Sequence, residues 1–338
     1  MKKINRRQFI QGSGLITLSG LGGLQLGLAN SLLGQGAPPG RDLLVYIFLH
    51  GGMDGLHMVP PRSGTDYSHY RNTLRPNLSI ADTESLALNG QSAFGMHPAA
   101  VEMADLFNRN KMAIVHATGL TQSNRSHFEA TKFMDLGAQN LGQTGGTGWL
   151  TRYFQSSVHT PDNAIISSVI PGYDNTDAFL GDPTALSMSN PADFTLAEGH
   201  WTWKDQQAET VNQLYQNPTT QAGIIGAQTL YASQVIQSID WENYQPGNNA
   251  VYPDSQLGDQ LKTVAQLYRS NVDLEVAYVP TGGWDTHDNQ SYTFEQLTTG
   301  LSAALSAFYE DLQPHYQGRF TIILQSEFGS RAYQNSAN

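Results

Sequence analysis

The sequence predicts a doubly wound α/β fold, a mostly parallel sheet with helices on both faces. Three observations carry that prediction. Apolar runs stand at residues 43–49, 274–280 and 320–324, each followed by glycine or a polar turn. Segments of helical period lie between them. A chain of 338 residues, 39% of them hydrophobic, can bury one large core.

In chain order, residues 1–29 read as an export signal. Lys2, Lys3, Arg6 and Arg7 precede a Gly-rich, weakly apolar stretch with no acidic residue, and Arg6-Arg7-Gln8-Phe9-Ile10 resembles the twin-arginine pattern. Small residues at Gly27-Leu28-Ala29 suit cleavage after Ala29. The alternative is an uncleaved anchor over residues 9–28, but many glycines and no Leu/Ile block make a poor one, so no stable span is expected after cleavage. A periplasmic or secreted protein is therefore expected, with the twin-arginine export machinery as a partner.

Cleavage leaves 14 basic against 29 acidic residues, a formal charge of −15, which argues against nucleic acid as a partner. The absence of cysteine excludes disulfides and thiolate chemistry.

A Gly/Pro linker over residues 30–41 leads into a domain over residues 42–338. The run LLVYIFL is expected to be a central strand buried on both faces, with Asp54 just past its carboxyl end. Residues 97–110 place Ala100, Met103, Ala104 and Phe107 on one helical face, and MAIVHATG after them reads as a second strand. SNRSHFEATKFMDLG opens a helix. Residues 140–255, rich in Gly, Asn, Gln, Ser, Thr and Pro, read as connections and a cap over the sheet, with one helix at about 210–236. LEVAYVP is the next strand, residues 292–312 a long helix and FTIIL the last strand.

In such sheets ligands bind outside the carboxyl ends of the strands. Asp54, Ser126 with His127, Asp285 with His287, and Glu327 all fall there. Carboxylates and imidazoles together suit zinc, and an oxygen-rich subset suits magnesium, manganese or calcium. Each group also has a plainer reading. Asp54 could bond its own turn. Ser126 with Glu129 three residues on forms a capping box, although a helix start also suits a hydroxyl nucleophile. In TGGWDTHDNQ, Asp285 and His287 share one side of an extended segment, whereas a turn or helix start at Asp288 needs no metal. Glu327 could pair with Arg331.

Taken together, NRRQFIQ, LHGGMDGLHMVPP, RSHFEATKFMDLG, GTGWLTRYF, GGWDTHDNQ and QSEFGSR resemble the DUF1501 family of exported bacterial proteins. That family is similar in fold and site layout to the alkaline phosphatase and sulfatase superfamily. The resemblance implies an alkaline phosphatase-like domain and a metal-dependent hydrolase of phosphate, less readily sulfate, esters of a small molecule, glycan or lipid. Asp54 would match the first-strand metal aspartate, Asp285 and His287 the later ligand pair, and Glu327, followed by Phe328, the place of an Asp-His pair. Ser126 is the implied nucleophile, beside His127, with Ser123 as a substitute. A sulfatase of the formylglycine type is disfavoured by the lack of Cys and of an S-x-P-x-R segment. The family's E-F-G-R reads Glu327-Phe328-Gly329-Ser330 here, and its downstream G-T-D-H-G segment would lie beyond Asn338, so a C-terminally truncated domain is expected. The competing expectation is an exported envelope protein that binds metal or an anionic ligand without turnover.

Overall fold

A computed structural model describes residues 41–337, apart from 122–123, 139–140, 158–163, 173–174, 192–193, 196–201 and 317. The export signal, most of the linker and Ser123 lie outside the described residues. Among those described, no helix is long and apolar enough to cross a membrane.

The architecture is α/β. Five strands, β1 (Leu43–Leu49), β4 (Ser168–Pro171), β5 (Leu186–Met188), β6 (Val276–Thr281) and β7 (Phe320–Gln325), form a parallel sheet in the order β5-β4-β6-β1-β7. A short antiparallel hairpin, β2 (Leu86–Leu88) with β3 (Gln91–Met96), stands apart. The helices are α1 (Gly55–Met58), α2 (Gly64–His69), α3 (Val101–Asn108), α4 (His127–Leu136), α5 (Trp149–Ser156), α6 (Lys204–Leu214), α7 (Gln221–Ser238), α8 (Gln256–Arg269) and α9 (Gln290–Tyr316).

Strand β1 explains why the sheet is covered on both faces. Its side chains alternate: Leu43, Val45, Ile47 and Leu49 enter one core layer, and Tyr46 and Phe48 enter the other. The first layer takes Leu261 and Val264 from α8 and Phe294 and Leu305 from α9. The second takes Leu150 from α5, with Met134 of α4 packed against it. A strand apolar on every residue is stable only in this setting.

Three expectations need correcting. Residues 111–121 form no strand: Met112 and Ile114 pack against the core, Val115 is exposed, and the stretch has no neighbour with which to pair. The region expected as a cap contributes β4 and β5, strands of three or four residues that are too short to show an apolar period. The single helix expected at about 210–236 is two, α6 and α7, because the intervening segment carries Pro218, which has no backbone N–H to continue the ladder.

Helix α4 is tied to the sheet by a buried carboxylate. Asp135 accepts hydrogen bonds from Thr176 Oγ1 (2.7 Å) and Tyr278 Oη (3.0 Å). Burial pushes its carboxyl up to about 6, against the lowering effect of those two bonds. A carboxyl raised in the folded state contributes stability when protonated, and that contribution is lost as pH climbs through about 6. Urea unfolding is therefore expected to show Asp135→Asn gaining on the parent chain by roughly 2–3 kcal/mol between about pH 4 and pH 7. A difference that stays constant over that range would remove Asp135 as the source.

Candidate functional site

Strands β1, β6 and β7 are adjacent, so their carboxyl-end loops meet at one place. Two glycines allow the closeness. Gly51 has φ +120°, and a Cβ there would stand 2.3 Å from the backbone nitrogen of Asp285. Gly52 has φ +69°, and a Cβ there would meet the Phe328 ring at 2.7 Å. Both conformation and space therefore require glycine. The backbone N–H of Trp284 donates to the His50 carbonyl (3.2 Å), extending the contact between the β1 and β6 loops.

On this base four of the residues singled out in the sequence join into one chain. Glu327 is 1% exposed, and its Oε1 lies 2.7 Å from His127 Nδ1. His127 Nε2 faces Asp285 Oδ2 at 3.6 Å. Asp285 Oδ1 lies 3.0 Å from His287 Nδ1. The chain runs from a buried carboxylate to a well-exposed imidazole, and Asn335 Nδ2 holds the far end by donating to the His287 carbonyl (2.7 Å).

Glu327 is firmly set. Gly51 N–H donates to Oε1 (2.9 Å) and Ser326 Oγ to Oε2 (3.0 Å). Burial alone would push the carboxyl up. The bonds from His127, its own backbone, Gly51 and Ser326 together outweigh burial and hold it below its ordinary value. In the neutral form of His127, an anionic Glu327 fixes the proton on Nδ1 and the Nε2 lone pair faces Asp285. The Phe328 ring, 4.7 Å from the imidazole centroid, packs against it.

Two acceptors then face each other. At 3.6 Å they are too far apart for a hydrogen bond. Two ligands bound at about 2.0–2.1 Å to one tetrahedral zinc stand about 3.3–3.4 Å apart. A carboxylate behind a ligating histidine is also the usual outer-shell arrangement. In donor chemistry and outer shell the residues fit a divalent ion of the zinc type, with His127 and Asp285 as the preset pair. The third donor is not preset: among the described residues no three His, Asp or Glu side chains already surround one point, and His287 is turned onto Asp285.

Asp54 and Ser126 are placed otherwise. Asp54, expected among the ligands, is 1% exposed, with both oxygens occupied. Arg75 binds it through two nitrogens (Nη1–Oδ2 2.6 Å, Nη2–Oδ1 3.0 Å), Gln290 Nε2 donates to Oδ2 (2.6 Å) and His57 N–H to Oδ1 (3.0 Å). It anchors α1 and α9 rather than facing the chain of four. Ser126 is exposed and caps α4, its Oγ accepting from Glu129 N–H (3.3 Å). The expected reciprocal bond is replaced: Asn124 Oδ1 takes the Ser126 N–H (2.8 Å), and Asn124 Nδ2 donates to Glu129 (3.0 Å).

Sequence reasoning missed Arg75, Gln290 and Ser326. Gln290 closes the quoted TGGWDTHDNQ segment and Ser326 precedes Glu327, so position next to a marked residue was their only signal. Arg75 lies 21 residues from Asp54 and carried none.

The model of a family described as a protein of unknown function, DUF1501, matches residues 41–338. No curated protein and no solved structure matches the chain.

Proposed function

Since the chain belongs to the DUF1501 family, we propose that it is an exported, metal-dependent hydrolase of phosphate, less readily sulfate, esters. Its site would be the chain Glu327–His127–Asp285–His287. The observation that carries this is His127, held from behind by buried anionic Glu327 and facing Asp285 across 3.6 Å. An alkaline phosphatase-like layout is the finer fold reading that goes with it. Support comes from the all-parallel pairing in the main sheet and from a site at the carboxyl ends of adjacent strands.

His127, Asp285 and His287 would hold the ion. A divalent ion bound there would polarise an ester oxygen and lower the pKa of a hydroxyl or water. Glu327 would keep His127 in the tautomer and orientation that ligation needs. Phe328 would exclude water from one side of the imidazole. Export is supported by the twin arginines and the weakly apolar, acid-free stretch that follows them. A small-molecule, glycan or lipid ester is the proposed substrate.

The nucleophile divides this reading from its alternative, an envelope protein that binds metal or an anionic ligand without turnover. The capping role of Ser126 favours the alternative, because the hydroxyl already has a structural use. Hydrolysis of an aryl phosphate by the parent chain and by Ser126→Ala separates them. If Ser126 attacks, turnover is lost. If it only caps, stability falls by about 1 kcal/mol while activity stays intact. Absence of any turnover in the parent chain with zinc, manganese or magnesium supplied would leave the binding protein.

A further inference from the structure

We propose that Arg125 and Arg331, with the exposed rings of Phe128 and Tyr333, form a rim beside the chain of four that binds a small organic anion whose charged group sits on an aromatic ring. The rim takes its location from the proposed site and narrows the ligand of that site to an aryl anion.

These two arginines differ from the rest. Each of the eight other arginines among the described residues bonds a carboxylate, a phenol or a backbone carbonyl. The side chains of Arg125 and Arg331 are exposed and bond nothing among the described residues, although the chain holds 29 acidic against 18 basic residues. A planar guanidinium with all its donors open suits a phosphate, sulfate or carboxylate.

Solvated arginines occur on any surface, so position decides. Arg125 stands two residues before His127, on a loop held by Asn124, which accepts from Ser126 N–H (2.8 Å) and donates to Glu129 (3.0 Å). Arg331 stands on the segment that runs from Phe328, packed on His127, to Asn335, bonded to the His287 carbonyl. That segment passes the chain of four from one end to the other. Arg75 pins it through the carbonyls of Arg331 (2.9 Å) and Ala332 (3.0 Å), and Ser330 Oγ donates to the Gly52 carbonyl (3.4 Å). His127 and Phe328 both border Gly52, so the two arginine-bearing segments meet there. A charge displayed on fixed backbone loses less freedom on binding than one on a loose loop.

The rings supply the second mark. Phe128 is 92% exposed, the most open large apolar side chain among the described residues, and Tyr333 is 62% exposed. One exposed ring alone would mean little. Two, each within three residues of an unbonded arginine at one site, offer ring faces beside the positive charge and match an anion carried on an arene.

Isothermal titration of the metal-free chain in about 0.05 M salt tests this with benzenesulfonate, its neutral counterpart benzenesulfonamide, and methanesulfonate, which has the charge without the ring. Benzenesulfonate is expected to bind, methanesulfonate to bind more weakly and benzenesulfonamide not to bind. Arg125→Gln and Arg331→Gln, both at exposed positions, should each weaken benzenesulfonate binding, and the double change by about tenfold or more. Phe128→Ala with Tyr333→Ala should bring benzenesulfonate to the level of methanesulfonate. Lys111→Gln, which removes one positive charge beyond the end of α3, should change nothing. The proposal is overturned if benzenesulfonate does not bind, if either counterpart binds equally, or if Lys111→Gln causes the same loss as the arginine changes. Binding is read without metal and without turnover, so its failure is distinct from failure of the hydrolase reading.

Discussion

Arg75→Ala is expected to lower the free energy of unfolding by about 3–5 kcal/mol, because it leaves the Asp54 carboxylate buried without its partner. Both side chains are 1% exposed, and the guanidinium makes four hydrogen bonds: two to Asp54, one to the Arg331 carbonyl (2.9 Å) and one to the Ala332 carbonyl (3.0 Å). The pair thus ties the end of β1 to the segment after β7. Removing the arginine also orphans two backbone carbonyls, which adds to the cost. Adding Asp54→Asn to Arg75→Ala should recover part of the loss, since the buried charge disappears while Gln290 and the His57 N–H keep an oxygen to bond. Denaturant unfolding of the three variants measures this. A loss under about 1 kcal/mol for Arg75→Ala would mean that the pair is open to water.

The second large effect concerns activity. His127→Ala is expected to reduce aryl phosphate hydrolysis by roughly 10²–10⁴-fold, the scale on which removing a positioned acid, base or ligand acts. Stability should fall as well, though less than in Arg75→Ala, because the buried Glu327 carboxylate loses the imidazole but keeps the bonds from Gly51 and Ser326. Glu327→Gln should lie between the two chains. Its amide oxygen can still accept from Gly51 and its nitrogen can donate to Ser326 Oγ, whose own proton goes to the Leu49 carbonyl, but it no longer sets the imidazole tautomer by charge. If Glu327→Gln and His127→Ala both leave turnover unchanged, the chain of four residues is structural.

Much of the fold was legible because burial on both faces leaves a continuous apolar run. Residues 43–49, 274–280 and 320–324 gave β1, β6 and β7, and the spacing of Phe294, Leu301, Leu305, Phe308 and Leu312 gave α9. Strands β4 and β5 escaped because three or four residues, two of them serines, show no period. The MAIVHATG segment misled for the opposite reason. It has the composition of a strand, but strand formation depends on a neighbour, which no local pattern reports.

For the site, position at strand ends was the useful signal. It brought forward Asp285, His287 and Glu327; His127 entered through a strand at MAIVHATG that does not form, yet it joins the same cluster from the start of α4. The same signal marked Asp54, which the structure sets apart from these four and pairs with Arg75 from a non-adjacent segment. The order within the four was also illegible. Nothing in QSEFGSR says that Glu327 points inward to hold a histidine from α4 rather than outward to a ligand. Ser126 kept both of its readings: the cap is formed, and a cap does not preclude a nucleophile.

The most direct test is the content of divalent metal per chain after zinc loading and removal of free ions, read together with aryl phosphate turnover, in the parent chain and in His127→Ala. The expected result is about one tightly held ion per chain, with ion and turnover lost together in the variant. Full metal content and turnover in His127→Ala, or turnover in a parent chain that holds no metal, would contradict a site built on Glu327, His127, Asp285 and His287.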